Sequence, residues 1–185
     1  MSQNGLDKLY WGFLFIMIGF RIQGFDILPD IVGYLLFASG FSDLSSCSDF
    51  FNKAAKYNIP MIILSIFSIY QRPAQGGGIQ LGPLGAFGIL ISIASFILNL
   101  LVVYNLFMGI NEMEERQEQL ELAQEATTKW NQYMLLQIAT LFSFIMVFIP
   151  LLGVIYIIGM LIASIIVATS IMGFIRRCRD SIVLQ

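Results

Sequence analysis

Residues 134–175 form a run of 42 residues without one Asp, Glu, Lys, Arg or His. A membrane-crossing helix needs only ~20 apolar residues, so this run is long enough for two. Its middle reads Ile149-Pro150-Leu151-Leu152-Gly153 and supplies the Pro and Gly that a tight turn uses. The pattern predicts a hairpin of two membrane spans, over 132–149 and 152–175. A second clear apolar stretch predicts another span over 84–110.

Three shorter apolar runs, at 9–22, 31–41 and 59–70, predict spans over 9–23, 28–44 and 50–70. The run at 59–70 covers only ~18 Å at 1.5 Å per residue, so a crossing there must begin near Asp49 and carry Pro60 as a kink. The composition agrees with a chain whose main solvent is lipid: 57% of residues are apolar and 12% charged, with a mean hydropathy of +0.79. The 185 residues hold about six spans and leave no room for a separate soluble domain. The N-terminal charged and apolar regions resemble a signal peptide, but the following Arg21-Ile22-Gln23-Gly24-Phe25 offers no small-x-small cleavage site, and a retained first helix is expected.

Charge arbitrates whether the short run at 59–70 crosses. With six spans and both termini cytoplasmic, the inner side collects Lys8, Lys53, Lys56, Arg116, Lys129, Arg176, Arg177 and Arg179, and the outer side only Arg21 and Arg72. If that run stays on one side, the bias falls to four against six, contrary to the positive-inside tendency. Tyr10, Trp11, Tyr57, Trp130 and Tyr133 then fall at the cytoplasmic interface, where amphipathic rings prefer to sit. The expected fold is therefore all-α: a polytopic transmembrane helical bundle of about six spans in a single domain.

The segment 111–129 is the one long hydrophilic stretch, with six glutamates against Arg116 and Lys129. Lacking Pro and Gly, it is expected to continue as a helix beyond the fourth span, with a modest apolar stripe of Met113, Leu120, Ala123 and Ala126 or Thr127. It is read as a solvated extension, or as a docking surface for a protein partner or second copy. Cys47 and Cys178 both fall on the reducing side, so no disulfide is expected; the arginines around Cys178 raise the alternative of a reactive thiol.

The most distinctive local sequence is Arg21-Ile22-Gln23-Gly24-Phe25-Asp26-Ile27-Leu28-Pro29-Asp30-Ile31-Val32-Gly33-Tyr34. Arg21, Asp26 and Asp30 sit at the outer end of the first two spans, where ionised groups near lipid are costly and mark candidate sites. A structural reading competes: Asp26 capping the second helix, Pro29 and Asp30 in its first turn, and an Arg21 ion pair pinning the hairpin. The Gly-Phe-Asp-x-Leu-Pro-Asp-x-x-Gly-Tyr pattern resembles one in small uncharacterised multi-pass membrane proteins of Gram-positive bacteria. The resemblance implies a bacterial cytoplasmic membrane and carries no mechanism.

Gly85, Gly88, Ser92, Ser95 and Asn99 recur at three- and four-residue steps in the fourth span, and Gly159, Ala163, Ser170 and Gly173 do so in the sixth. Small residues let membrane helices approach closely, so both rows are expected to be helix-packing faces rather than a pore lining. Gln137, Thr140 and Ser143 are expected to hydrogen-bond across the same interface.

Enzyme chemistry lacks its parts. There is no His, no carboxylate inside spans four to six, and Gly76-Gly77-Gly78 lack the Lys and Ser or Thr of a phosphate loop. No cofactor, metal or nucleic-acid partner is expected, and the lipid bilayer is the expected neighbour. The leading expectation is a non-catalytic membrane protein acting through helix packing with a partner or itself, as an assembly, immunity or regulatory subunit. The alternative is a small transporter or channel with Arg21, Asp26 and Asp30 at its outer mouth.

Overall fold

The computed structural model describes residues 2–17, 21–22, 25–26, 30–68, 85–146 and 149–183. Among these the chain is all-α, with six helices: α1 (Ser2–Met17), α2 (Asp30–Leu44), α3 (Asp49–Ser68), α4 (Gly85–Arg116), α5 (Leu120–Met146) and α6 (Pro150–Val183). Between α1 and α2 lies a minimal antiparallel ribbon, β1 (Arg21–Ile22) on β2 (Phe25–Asp26), with Arg21 opposite Asp26 and Ile22 opposite Phe25.

Each helix packs on its neighbours in sequence, and α6 returns to α1, so the six close into a ring. Cross-helix pairs show that neighbours run antiparallel: Gly12 faces Gly33, Ser48 meets Glu112, Asn111 meets Ala123 and Lys129 meets Ser170. Both termini, the α2–α3 turn and the α4–α5 turn therefore gather at one end. That end carries eight of the ten Lys and Arg residues, the set the topology argument placed in the cytoplasm.

The closest helix contact joins α1 and α2, and glycines make it. Gly5 and Gly12 on α1 oppose Gly40 and Gly33 on α2. A Cβ at Gly33 would lie 2.9 Å from the Gly12 carbonyl oxygen and 2.5 Å from Ile16, and one at Gly40 would lie 2.9 Å from the Gly5 carbonyl oxygen. The seven-residue spacing repeats the contact after two turns on the same face of each helix, so two backbones meet along their length.

The charged end is well packed. Phe13, Phe37, Phe41, Phe51, Phe107 and Phe174 are fully or almost fully buried there, in edge-on and tilted ring contacts such as Phe13 to Phe37 at 5.4 Å. Around them polar links join the helices in turn. Lys8 pairs with Asp43 at 2.6 Å, Arg179 with Asp7 at 2.7 Å, and Arg177 with Glu125. Ser48 accepts the Phe50 N–H at 3.1 Å as the cap of α3 and gives its own proton to Glu112 on α4. Glu114 is buried here, its carboxylate near Cys178 and Ser181 but without a well-formed hydrogen bond.

The other end opens. Residues of α3, α4, α5 and α6 there are apolar and exposed, among them Ile63, Leu90, Phe142, Leu151 and Leu161. Among the described residues two helices are long and apolar enough to cross a membrane, over Gly88–Arg116 and Leu151–Ile182. At 16 and 15 residues, α1 and α2 cover about 24 and 22 Å, less than the ~30 Å of a bilayer core.

Several expectations are corrected. The first helix begins at Ser2 and ends at Met17, because Arg21 and Ile22 belong to the ribbon. The segment 111–129 is two helix ends rather than one extension. α4 stops at Arg116, Glu118 adopts a left-handed φ of 61°, and the Gln119 and Glu118 N–H groups bond back to Glu114 and Glu115. That is the Schellman arrangement, with a glutamate where glycine usually sits. Met113, Ala123 and Ala126 of its expected stripe are buried, while Leu120 and Thr127 are exposed. Pro150 opens α6 as its first residue, so Gly153 lies inside the helix and the turn falls just before Pro150.

The glycine contact gives a direct test. Gly33→Ala and Gly40→Ala should each destabilise by about 1–3 kcal/mol, because the added methyl meets a facing backbone that cannot yield as a side chain does. Gly159→Ala, where nothing lies within 4 Å, should leave the melting temperature near wild type. Thermal unfolding in detergent of the three variants checks the contrast.

Candidate functional site

Where α4 diverges from its neighbours, a cavity of about 570 Å³ opens between it, α2 and α3. Its geometry follows from side-chain size. Near the charged end α4 is drawn close to α3 by Gly109, where a Cβ would sit 2.8 Å from the Phe51 ring. Toward the open end the facing surface of α4 carries Gly88, Ser92 and Ser95, too small to fill the gap. Asp30 and Tyr34 of α2 and Met61, Leu64 and Ser65 of α3 form the opposite walls, with Ile91 and Phe96 flanking. From Gly88 to Asn99 the cavity follows three turns of α4, or ~16 Å.

Its inner end is an amide and phenol cluster. Asn99 Nδ2 donates to the Tyr133 hydroxyl at 2.8 Å, and Gln137 Nε2 donates to the same oxygen at 2.6 Å. Asn99 Oδ1 is buried and has no partner. The Tyr133 ring is buried and stands edge-on to Phe13 with centroids 6.4 Å apart, so the polar cavity ends on the phenylalanine core. On the α2 side, Asn58 is buried and donates Nδ2 to the Tyr34 carbonyl at 2.7 Å, holding α3 against α2 behind the wall. Ser92 and Ser95 give their protons to the Gly88 and Ile91 carbonyls of their own helix, each at 2.8 Å.

Of the three outer charges singled out in the sequence, Asp30 lines the cavity as the first residue of α2. Asp26 does not cap that helix: it lies in β2, four residues earlier. Arg21 and Asp26 are opposed in the ribbon backbone, and their side chains lie outside the described residues. Among the described residues the small-residue rows do not form continuous packing seams, although Asn99 and Ser170 each bond to a residue of α5, Tyr133 and Lys129. Nothing stands within 4 Å of a Cβ placed on Gly88, Gly159 or Gly173. Gly88, Ser92, Ser95 and Asn99 line the cavity, while Ala163 and Ser170 line an outward groove of about 350 Å³ between α5 and α6. Gly85 begins α4. The physical reason is local: a cavity separates α4 from α2 and α3 along Gly88, Ser92 and Ser95, whereas α5 and α6 stay linked at this end by the Tyr156 hydroxyl donating to the Ala139 carbonyl at 2.6 Å.

Gln137, Thr140 and Ser143 bond within α5 rather than across an interface. Cys47 and Cys178 are both free thiols, and Cys178 is fully buried, which removes it from contact with solutes. Sequence reasoning missed Tyr34, although it lies one turn beyond Asp30 and so on the same helical face. It also missed the interhelical glycines, whose signal is the repeated seven-residue interval in α1 and α2.

Among the described residues no three His, Cys, Asp or Glu side chains converge as metal ligands. The arrangement is suited to holding a solute by hydrogen bonds and shape, since its wall pairs polar groups with the apolar Met61, Leu64 and Phe96. No protein-family model matches the chain, and neither a curated protein nor a solved structure matches it.

Gly88→Leu should leave the melting temperature within a degree or two of wild type, because the position is open, while filling the mouth of the cavity. Unfolding in detergent is the check, and a large loss of stability would mean that this face is packed.

Proposed function

We propose that the protein is a non-catalytic, six-span membrane protein of the bacterial cytoplasmic membrane that admits a small solute from the outer side, as the binding step of a transporter. The observation that carries this reading is the cavity itself: polar groups from three helices, open at the end away from the basic cluster and closed toward that cluster by the phenylalanines. The uncharged ends of α3 to α6 present aliphatic side chains outward without an intervening charge, which suits lipid and would be costly in water. The Lys and Arg bias sets the closed end in the cytoplasm. The cavity then runs from the outer interface to near the bilayer centre.

A channel needs a continuous path, and the phenylalanine core interrupts it. A carrier needs the closed end to part, and the Lys8–Asp43, Arg179–Asp7 and Arg177–Glu125 pairs are the contacts that would have to exchange. Action through helix packing with a partner or second copy keeps one support, the open faces at Gly159 and Ala163 along α6.

Thiol accessibility tests the reading. In a Cys47→Ser, Cys178→Ala background, the Ser92→Cys variant should react with a membrane-impermeant maleimide added outside intact cells. Ile97→Cys, on the exposed apolar face of α4, should not react. Failure of Ser92→Cys to react from outside would reject an outward-open cavity.

A further inference from the structure

The hydrogen-bonding character of the cavity wall restricts what it can hold. Ser92 and Ser95 have spent their protons on carbonyls of α4, so their oxygens face the cavity as acceptors. Asn99 has spent Nδ2 on Tyr133, and its Oδ1 is left buried without a partner. Asp30 is an acceptor too; it has its own contacts within the protein and contributes acidity at the rim rather than a waiting partner. Tyr34, only 6% exposed, adds a phenol to the wall. No Lys or Arg is among the described lining residues. A carboxylate or phosphate would meet mostly oxygen lone pairs along the described wall, with the Tyr34 hydroxyl the exception as a donor. A ligand rich in N–H donors would satisfy them.

The cavity is far larger than a bare ion requires. The cavity measures about 570 Å³, whereas a water molecule occupies ~30 Å³ in the liquid, and an alkali ion is of that order. The remaining wall, Met61, Leu64, Ile91 and Phe96, is apolar or aromatic and suits a hydrocarbon body beside the donor group.

We infer that the cavity between α2, α3 and α4 binds a small organic primary amine as its ammonium. The ammonium donates toward Ser92 Oγ and Ser95 Oγ, and the hydrocarbon portion lies against Met61, Leu64 and Phe96. Aliphatic amines are protonated at neutral pH, and burying that charge is tolerated only where acceptors replace water. This inference rests on the outward-open cavity proposed above.

The test uses the purified full-length protein in nanodiscs with four probes at equal ionic strength: phenethylammonium chloride, phenethyl alcohol, sodium phenylacetate and sodium chloride. Calorimetric titration and melting temperature are read for each. The ammonium alone should bind saturably and raise the melting temperature. The Ser92→Ala, Ser95→Ala double variant, altered only at sites away from the core, should bind it about tenfold or more weakly with the ligand-free melting temperature unchanged. Equal binding of the alcohol or the carboxylate, equal stabilisation by sodium chloride alone, or unaltered binding by the double variant would each overturn the inference. Absence of ammonium binding in a protein whose Ser92→Cys variant reacts from outside would overturn the ligand class while leaving the outward-open cavity standing. An unreactive Ser92→Cys variant would remove both.

Discussion

Two backbones in contact along α1 and α2, glycine against glycine, set the frame on which the other helices depend. Close van der Waals fit is what holds such a helix pair together wherever lipid removes the hydrophobic driving force. Gly5, Gly12, Gly33 and Gly40 provide it by removing the side chains that would hold the axes apart. The tight pair presents Phe13, Phe37 and Phe41 on one common surface, to which α3, α4 and α6 contribute Phe51, Phe107 and Phe174. Asp30 and Tyr34 flank Gly33 in α2, so the close contact also fixes where two of the cavity's polar residues stand.

The molecule divides along its axis by the chemistry of its side chains. At the charged end, ion pairs link α1 to α2, α6 to α1 and α5 to α6, and the aromatic core fills the space inside the ring. At the opposite end neither device is present among the described residues, and small polar side chains on α4 face a gap. Exposed ion pairs contribute little to stability individually. Their value here is in register, because each joins a different pair of neighbours, and a set of weak contacts is easier to exchange during a conformational change than one strong contact.

The helices were legible in the sequence where apolar runs were long. The hairpin of α5 and α6 and the apolar reach of α4 followed from length and the absence of charge alone. Boundaries were harder. Nothing in Gln117, Glu118 and Gln119 announces a helix end, since the turn there uses a glutamate in a conformation that usually calls for glycine. The row of Gly88, Ser92, Ser95 and Asn99 was readable as one helical face, but spacing alone does not say whether such a face meets a helix or a void. That depends on how far α3 and α4 diverge, a property of tertiary geometry set by Gly109, Phe51 and the glycines of α1 and α2. The true seam used the longer seven-residue interval and so escaped a search for three- and four-residue steps.

An outer mouth for the cavity requires that the bundle cross the membrane six times with its charged end inside. Reporter tags placed within Gly76-Gly77-Gly78, between α3 and α4, and at Gln119, between α4 and α5, test that arrangement most directly. The first tag should be accessible outside intact cells and the second only after permeabilisation. A tag at Gly77 that reports the cytoplasm would contradict that arrangement, since α3 would then not cross and the cavity would have no outer mouth.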